Sequence, residues 1–179
     1  MGASLALFAE RGFHGTRVPE IAGRAGVAVG TIYRYFPTKE ALVNAVYRDR
    51  KQAFAAAMAL AVDPAAAPRD QADALWRASV GWAQANSAAF RFLELHHHAD
   101  YLDAESRAAT EQTQAVLRAQ LDDARQAGAI RSDLSLDVLV ALLSGALAGF
   151  VRDADASGFG TDRGTIDAAG AAVWRLVAR

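Results

Sequence analysis

The side chains best suited to contact another molecule lie between positions 29 and 39. The face that a short helix would expose here carries hydrogen-bonding or aromatic groups, not the Glu and Lys of a typical solvated face, namely Thr31, Tyr33, Arg34 and Tyr35. Such groups can contact the base edges and phosphates of a DNA duplex. Lys39 begins the following helix, where backbone N–H groups and a cation together favour a phosphate. This segment therefore predicts a nucleic-acid-binding surface.

Two short helices joined by a tight turn would hold this surface in place. A helix-turn-helix needs apolar contact positions, a small residue at the closest approach and a residue that tolerates a left-handed backbone at the turn. Residues 18–36 supply all three in register: apolar Ile21, Ala25, Val27, Ile32 and Tyr35, small Ala22, and Gly26 at the turn. The alternative is a plain helical hairpin in a larger bundle, but residues 29–35 are too short for a good bundle helix.

The remaining sequence also has helical apolar spacing, and no stretch alternates with period two for long enough to predict a sheet. We predict an all-α protein of about nine helices, with residues 1–50 forming a helix-turn-helix domain and residues 51–179 a helical bundle. The expected helices cover residues 3–11, 16–26, 29–35, 38–61, 69–86, 87–98, 103–128 and 135–152, and a last one begins near 163. We expect N-terminal caps at Thr38, Ser87, Asp103 and Ser135.

Charge is distributed unevenly along the chain. Residues 1–50 carry seven Arg or Lys against four Asp or Glu, a net charge of +3, whereas the remainder carries −4. A cationic end on an acidic body suits a protein that presents that end to a polyanion. The sequence has no cysteine, and its longest uncharged run, residues 138–151, is shorter than the roughly 20 residues of a membrane-spanning helix. We therefore expect a cytoplasmic protein without disulfides.

Three segments carry a family resemblance: Phe8–Thr16, Ile21–Ala22 and Gly26–Leu42. Together they resemble the DNA-binding domain of the TetR family of repressors. The match is nearly continuous from residue 8 to residue 42, and its motifs are highly specific. Beyond this region the resemblance is one of architecture, with long helices and a C-terminal pair that family members use to dimerise.

The resemblance implies a role for each matching position. Thr16 and Arg17 would meet the phosphate backbone ahead of the second helix. The major-groove face would comprise Val29, Gly30, Thr31 and Arg34, with Arg34 a candidate for a bidentate contact to guanine. Tyr33, Tyr35 and Lys39 would hold phosphates and set the register. Ala28 departs from the family pattern, because a capping Ser is common there and its loss costs about 1 kcal/mol.

The predicted eighth helix is apolar on all sides, so it must be covered on both faces. A second subunit is the simplest cover, although a buried central helix would explain the same pattern. We predict a two-fold dimer with its two helix-turn-helix motifs about 34–36 Å apart, or a multiple of that, on palindromic DNA. Its expected interface residues are Leu139, Leu143, Gly145, Gly149, Phe150, Val173 and Trp174.

A small-molecule effector is implied by the resemblance and by a group of aromatic residues with a few polar tips, a composition typical of a ligand cavity. The candidate effector-binding residues are Trp76, Trp82, Phe90, Leu93, His97 and Tyr101. Low polarity would favour an apolar or aromatic compound. Ordinary core packing explains the same residue types.

Three consecutive histidines raise a metal-binding alternative. Glu94 and His97 lie three residues apart on one helical face, and Asp100 follows. Adjacent residues on a helix point about 100° apart, so His96, His97 and His98 cannot converge on one ion. A di-metal bundle would also need a second Glu-x-x-His motif, which the sequence lacks. We therefore expect neither a metal nor any other cofactor.

These observations favour a dimeric transcriptional repressor that binds a palindromic operator and is released by a small-molecule effector. No nucleophile–base pair, phosphate-binding loop or dinucleotide motif is present, so we expect no enzyme activity. Two alternatives stay open at this point. One is a helical metalloenzyme that uses Glu94 and His97, and the other is a DNA-binding regulator without an effector.

Overall fold

A computed structural model describes residues 1–95, 98, 100–157 and 161–179 of the chain. Within these residues the protein forms nine α-helices and no sheet, which confirms the all-α prediction. The helices are α1 (Gly2–Arg11), α2 (Val18–Ala25), α3 (Val29–Tyr35), α4 (Lys39–Ala61), α5 (Pro68–Ala85), α6 (Ser87–Leu95), α7 (Ala104–Gln126), α8 (Leu136–Ser157) and α9 (Arg163–Val177).

The described residues divide into two compact units. The first comprises Met1–Phe54 and Asn86–Thr110, and the second comprises Ala55–Ala85 and Glu111–Arg179. The first unit therefore includes α6 and the start of α7 in addition to α1, α2 and α3. The functional boundary near residue 50 stays a prediction, because compactness does not assign functions to the units.

Aromatic rings form much of the core of the first unit. Phe8 is fully buried, and its ring stacks on that of Phe92 from α6 with centroids 6.1 Å apart. Phe13, just after α1, stacks on Tyr101 at 4.3 Å. These contacts join the first helix to α6 and to the segment that precedes α7, so residues distant in sequence support the N-terminal helices.

In the second unit α5 packs against α8 and α9, and an apolar core joins α7, α8 and α9. Leu139 and Val140 of α8 are buried together with Leu121, Ile130 and Val177. The Trp76 indole N–H on α5 donates to the Ile166 carbonyl of α9 at 2.8 Å. The same indole leaves no room for a side chain on Gly170, where a Cβ would lie 2.7 Å from the ring. Close packing of α5 on α9 thus depends on a residue without a side chain.

Several helix starts follow the sequence signals. The side chains of Thr38, Asp103 and Ser135 accept hydrogen bonds from the backbone N–H groups of Ala41, Ser106 and Val138, which confirms the three as caps. Ser87 differs, since α6 begins at Ser87 itself and its first turn closes from Phe90 N–H to the Asn86 carbonyl. Helix α6 ends at Leu95, and the predicted extension to His98 partly falls outside the described residues.

No described helix is both long enough and apolar enough to span a membrane.

Candidate nucleic-acid interface

The turn between α2 and α3 has the geometry that a helix-turn-helix requires. Gly26 adopts a left-handed backbone with φ 68° and ψ 30°, which favours glycine because other residues are strained there. Its N–H and that of Val27 donate to carbonyls at the end of α2, and the helix closes cleanly. Ile21 and Ala22 are each about 1% exposed, so the inner face of α2 is anchored in the core.

Helix α3 presents nearly all of its surface outward. None of its residues is buried. Tyr33 is 46% exposed and Tyr35 69% exposed, large values for aromatic side chains. Gly30, Thr31 and Arg34 are also exposed, and only Val29 and Ile32 are half-buried. The structure therefore places the predicted groove-facing residues together on one short, largely exposed helix.

The structure describes all of residues 1–50, and ion pairs with Asp and Glu leave few free cationic side chains there. Acidic side chains bind Arg11, Arg24, Arg48 and Arg50, in contacts with Glu20, Glu10, Asp103 and Asp49. The exposed Arg17 and Arg34 have no ion-pair partner within the described part of the chain. The positive field available to a polyanion thus comes mainly from these two guanidinium groups.

Two residues that the resemblance assigns to phosphate contacts have other roles in this structure. The Thr16 side chain is fully buried, and its hydroxyl lies 2.7 Å from the Gly12 carbonyl and 3.1 Å from that of Leu7. A buried hydroxyl engaged in this way cannot reach a phosphate, so that expectation for Thr16 is wrong in this conformation. Lys39 Nζ donates to the backbone carbonyls of Phe13 and Thr16, at 2.8 and 3.1 Å.

The candidate effector residues are divided between the two units. Trp76 and Trp82 belong to the second unit, whereas Phe90, Leu93 and Tyr101 belong to the first. Core packing accounts for Phe90 and Leu93, which are 1% and 6% exposed. His97 lies outside the described residues. The interpretation of these six residues as the lining of one cavity therefore stays a prediction.

The Tyr101 hydroxyl lies 2.7 Å from Nδ1 of the buried His98. Burial, with smaller contributions from Tyr47 and Asp100, raises the pKa of Tyr101 to about 12. The phenol is therefore neutral at physiological pH. It acts as a structural hydrogen-bonding group in the first unit rather than as an acid or base.

Two small cavities stand out in the described structure. One, of about 60 Å³, lies in the second unit and is lined by Val80, Gln84, Phe150, Val151, Ala154 and Thr161. The other, of about 170 Å³, lies in the first unit between α1 and α6. Both are smaller than the roughly 300–1,000 Å³ typical of pockets for drug-sized ligands. An effector would need either cavity to widen.

Some of the predicted dimer-interface residues pack into the protein core, whereas Gly145 is exposed. Leu139 is completely buried in the core of its own subunit, so its assignment to an interface is wrong. Leu143 and Trp174 pack partly against the same core, and Phe150 lies edge-on to Trp76 at 5.4 Å. The exposed part of α8 is the neighbouring face, which carries apolar or small side chains at Val138, Ala141, Leu142 and Gly145. Of these four residues, the sequence analysis had selected only Gly145 for the interface.

The metal-binding alternative receives no structural support. Lys51 donates to Glu94 at 3.1 Å, so this carboxylate already has a cationic partner. His97 lies outside the described residues, and within the described ones no three His, Asp or Glu side chains are placed to share an ion.

Fold and site together define an all-helical protein with an N-terminal helix-turn-helix and a helical C-terminal region. Two family models match the chain. Residues 1–46 match the tetR family of bacterial regulatory proteins, and residues 41–179 match the tetracyclin repressor-like C-terminal domain. Because the second match covers most of the chain, the protein belongs to the TetR family of transcriptional regulators. The family is one of regulators and not of enzymes.

The curated relatives match only part of the chain. The HTH-type transcriptional regulator RutR of Escherichia coli is 50% identical over 48 residues, 27% of this chain and 23% of that protein. The HTH-type transcriptional repressor KstR2 of Mycobacterium tuberculosis is 34% identical over 109 residues, 59% of this chain and 49% of that protein. The matched segments thus span about a quarter to a half of the length of these relatives.

Solved structures resemble the whole chain. A tetR family transcription regulator from Shewanella sp. PV-4 superposes with a TM-score of 0.86 at 26% identity, covering 99% of this chain and 95% of that one. A TetR family transcription regulator from Marinobacter aquaeolei VT8 gives a TM-score of 0.88 at 23% identity, covering 99% and 92%. The second likeness establishes the fold alone.

Proposed function

We propose that this protein is a transcriptional repressor that binds a palindromic operator as a homodimer and leaves it when a small-molecule effector binds. The observation that carries the proposal is the free surface of α3, none of whose residues is buried. Exposed Thr31 and Arg34 lie beside two exposed tyrosines, and Arg34 has no ion-pair partner in the described structure. The relative KstR2 is itself named a repressor, which supports repression over activation. Operator binding also implies that the protein works in the cytoplasm, where bacterial DNA lies.

The residue roles follow from exposure and charge. Val29, Gly30, Thr31 and Arg34 would face the major groove, and Tyr33, Tyr35 and Arg17 would contact phosphates. Two copies of Arg17 in a dimer place two free cations at phosphates. The logarithm of the association constant should then fall with the logarithm of salt concentration with a slope of about −1.8. Affinity should drop about tenfold between about 50 and 200 mM salt.

Selection of bound duplexes from a random DNA pool, followed by fluorescence anisotropy over that salt range, tests this proposal. We expect a palindrome with half-sites about 10 base pairs apart, centre to centre, or a multiple of that spacing. Arg17→Ala should reduce the salt slope by about 1.8, whereas Arg34→Ala should relax selection at one position of each half-site. Uniform binding to all sequences, or affinity that salt does not change, would refute operator recognition.

The second unit is where we place the effector. Its cavity combines apolar Val80, Phe150 and Val151 with polar tips from Gln84 and Thr161, a lining that suits an apolar or aromatic compound with one polar group. Release requires the effector to bind the DNA-free form better, so operator DNA must weaken effector binding by the same factor.

A thermal-shift screen of apolar and aromatic compounds tests this part of the proposal. A true effector should raise the melting temperature and weaken operator binding. Ala154→Leu, which narrows the cavity, should abolish both effects, while Ala172→Leu at an exposed position of α9 should preserve them. If compounds stabilise the protein without changing its affinity for the operator, the protein is a regulator without an effector.

A further inference from the structure

The ammonium group of Lys39 is engaged inside the protein. Its Nζ donates to the carbonyls of Phe13 and Thr16, which lie 26 and 23 residues earlier in the chain. The same atom lies 4.0 Å from the centroid of the Phe13 ring, within the range of a cation–π contact. Two of the three N–H donors of Lys39 are thus already bonded, and its charge faces an aromatic ring. The residue is also half-buried.

The loop that receives Lys39 is tightly constrained. At Gly15 a Cβ would lie 2.4 Å from the Arg11 carbonyl oxygen, so the loop folds closely onto the end of α1. Thr16 is fully buried, and its hydroxyl bonds back to Gly12 and Leu7. This loop is therefore held both by α1 and by the first residue of α4.

The contact between Lys39 and this loop also helps to hold α3, because it joins two segments that flank the α2–α3 pair. The loop ends at Thr16, just before α2, whereas Lys39 lies only four positions after the last residue of α3. The contact therefore joins the entry to the α2–α3 pair with its exit. Without it, the pair would be held by the packing of α2 and by the covalent chain.

We propose that Lys39 is a positioning residue that sets the orientation of α3 through Phe13 and Thr16, and that its charge is not used on a DNA phosphate. This inference rests on the proposed operator binding. Removal of the ammonium takes the Lys39 hydrogen bonds away from the Phe13 and Thr16 carbonyls and lets the loop shift. Contacts to bases depend on the orientation of α3, whereas phosphate attraction is shared by all DNA.

Operator and random-sequence duplexes of equal length, titrated by fluorescence anisotropy between about 50 and 200 mM salt, distinguish the two roles. Lys39→Met keeps the aliphatic stem and removes the donors. We expect its ratio of operator to random-DNA affinity to fall about tenfold, the loss that results when one base contact is misplaced, with the salt slope unchanged. A slope reduced by about 1.8, with equal losses on both duplexes, would identify a phosphate contact and overturn the proposal.

Lys51→Met is the matched control. Lys51 also lies on α4, has a side chain 12% exposed and pairs with Glu94 at 3.1 Å. Its replacement should lower the melting temperature and leave the affinity ratio unchanged at temperatures well below unfolding. An equal fall of the ratio in both variants would mean that any loss of stability in this unit impairs recognition, and the proposal would then be wrong.

Hydrogen exchange without DNA provides a test that does not depend on operator binding. The Thr16 N–H donates to the Phe13 carbonyl at 3.3 Å within the same loop. We expect this amide to exchange faster in Lys39→Met than in Lys51→Met, and Lys39→Arg, which restores donors and charge, to slow it again. Unchanged exchange of this amide in Lys39→Met overturns the proposal, even where wild-type protein fails to recognise an operator. Lys39→Gln serves if the Met variant does not fold.

Discussion

Gly30 has no structural reason to be glycine inside this molecule. It lies in α3, and a Cβ added there would meet no atom within 4 Å. A glycine within a helix is less favourable than alanine by about 0.5–1 kcal/mol. Gly30 therefore lowers the stability of the protein at an exposed position. A close approach of α3 to another molecule would explain this loss, since a bare backbone can come nearer to base edges.

Gly30→Ala should therefore have opposite effects on folding and binding. The free energy of unfolding should rise by about 0.5–1 kcal/mol, and affinity for the operator should fall. Gly23→Ala on exposed α2, where a Cβ also meets nothing within 4 Å, should give the same stabilisation with binding unchanged. Denaturant unfolding and anisotropy measure the two quantities. Full affinity in Gly30→Ala would show that no close approach occurs at this residue.

Tyr101 makes the stability of the first unit sensitive to alkaline pH. Its pKa is about 12 in the folded protein, against 10.0 for an unperturbed tyrosine. The unfolded chain thus loses this proton first as the pH rises. The stabilisation is complete below pH 10, declines above it and is lost as the pH passes 12.

Urea unfolding at pH 9 and pH 11 checks this behaviour. Wild-type protein should lose more free energy of unfolding over this interval than Tyr101→Phe, which has no proton to release. Tyr33→Phe, at a side chain 46% exposed, should behave as wild type. Equal losses in wild type and Tyr101→Phe would contradict the assignment of this titration to Tyr101.

At the level of elements, α3 is a short helix without a capping side chain. Ala28 occupies its N-cap with an extended backbone and has no side chain that could accept a hydrogen bond, and the first turn has no acidic residue. Helix α9 shows the contrast, because the Asp162 carboxylate accepts from the Thr165 N–H at 3.0 Å. Thus α3 depends on α2 and on the following chain for its stability.

Ala28→Ser should supply the missing cap. The introduced hydroxyl can accept from an N–H of the first turn, which is worth about 1 kcal/mol and raises the melting temperature by about 2–4 °C. Circular dichroism during heating measures the change. Ala25→Ser, placed inside α2 where no N–H is free, should not stabilise. If the Ala28→Ser variant melts with or below wild type, α3 gains nothing from a side-chain cap.

Local elements were predictable from the sequence, but long-range partners were not. The bounds of α3 and the turn at Gly26 follow from residues within one helical turn of each other. The partners of Lys39 are backbone carbonyls more than 20 residues away, and every residue type carries such a carbonyl. The sequence pattern therefore predicted that the Lys39 ammonium group is free, whereas in the fold it is bonded to carbonyls inside the protein.

The two apolar faces of α8 show a related limit. Sequence periodicity identified both faces, and side chains one position apart on a helix point about 100° from each other. Which face turns inward depends on what packs against it, and Leu121 and Val177 come from other helices. The sequence thus predicted that a second cover is needed but assigned Leu139 to the wrong side.

At the scale of the whole molecule, the outward face of α8 supports the proposed dimer. Val138 and Leu142 are each 43% exposed and lie one turn apart, and exposed Gly145 continues the row. Leu176 on α9 is 46% exposed. An apolar row of this kind fits the two-fold interface that a palindromic operator, as proposed, would require, in which each residue meets the same surface of a second copy.

Leu142→Glu should convert the proposed dimer into monomers, because it would bring two carboxylates together in an apolar interface around a two-fold axis. The matched control is Leu60→Glu on α4, at a leucine 89% exposed, which should remain dimeric. Sedimentation equilibrium gives the mass of each variant. The monomer should bind random DNA with about half the wild-type salt slope and lose selection for the palindrome, since a single helix-turn-helix buries too little area for specific binding. A dimeric Leu142→Glu protein, or a monomeric Leu60→Glu protein, would place the interface elsewhere on the chain.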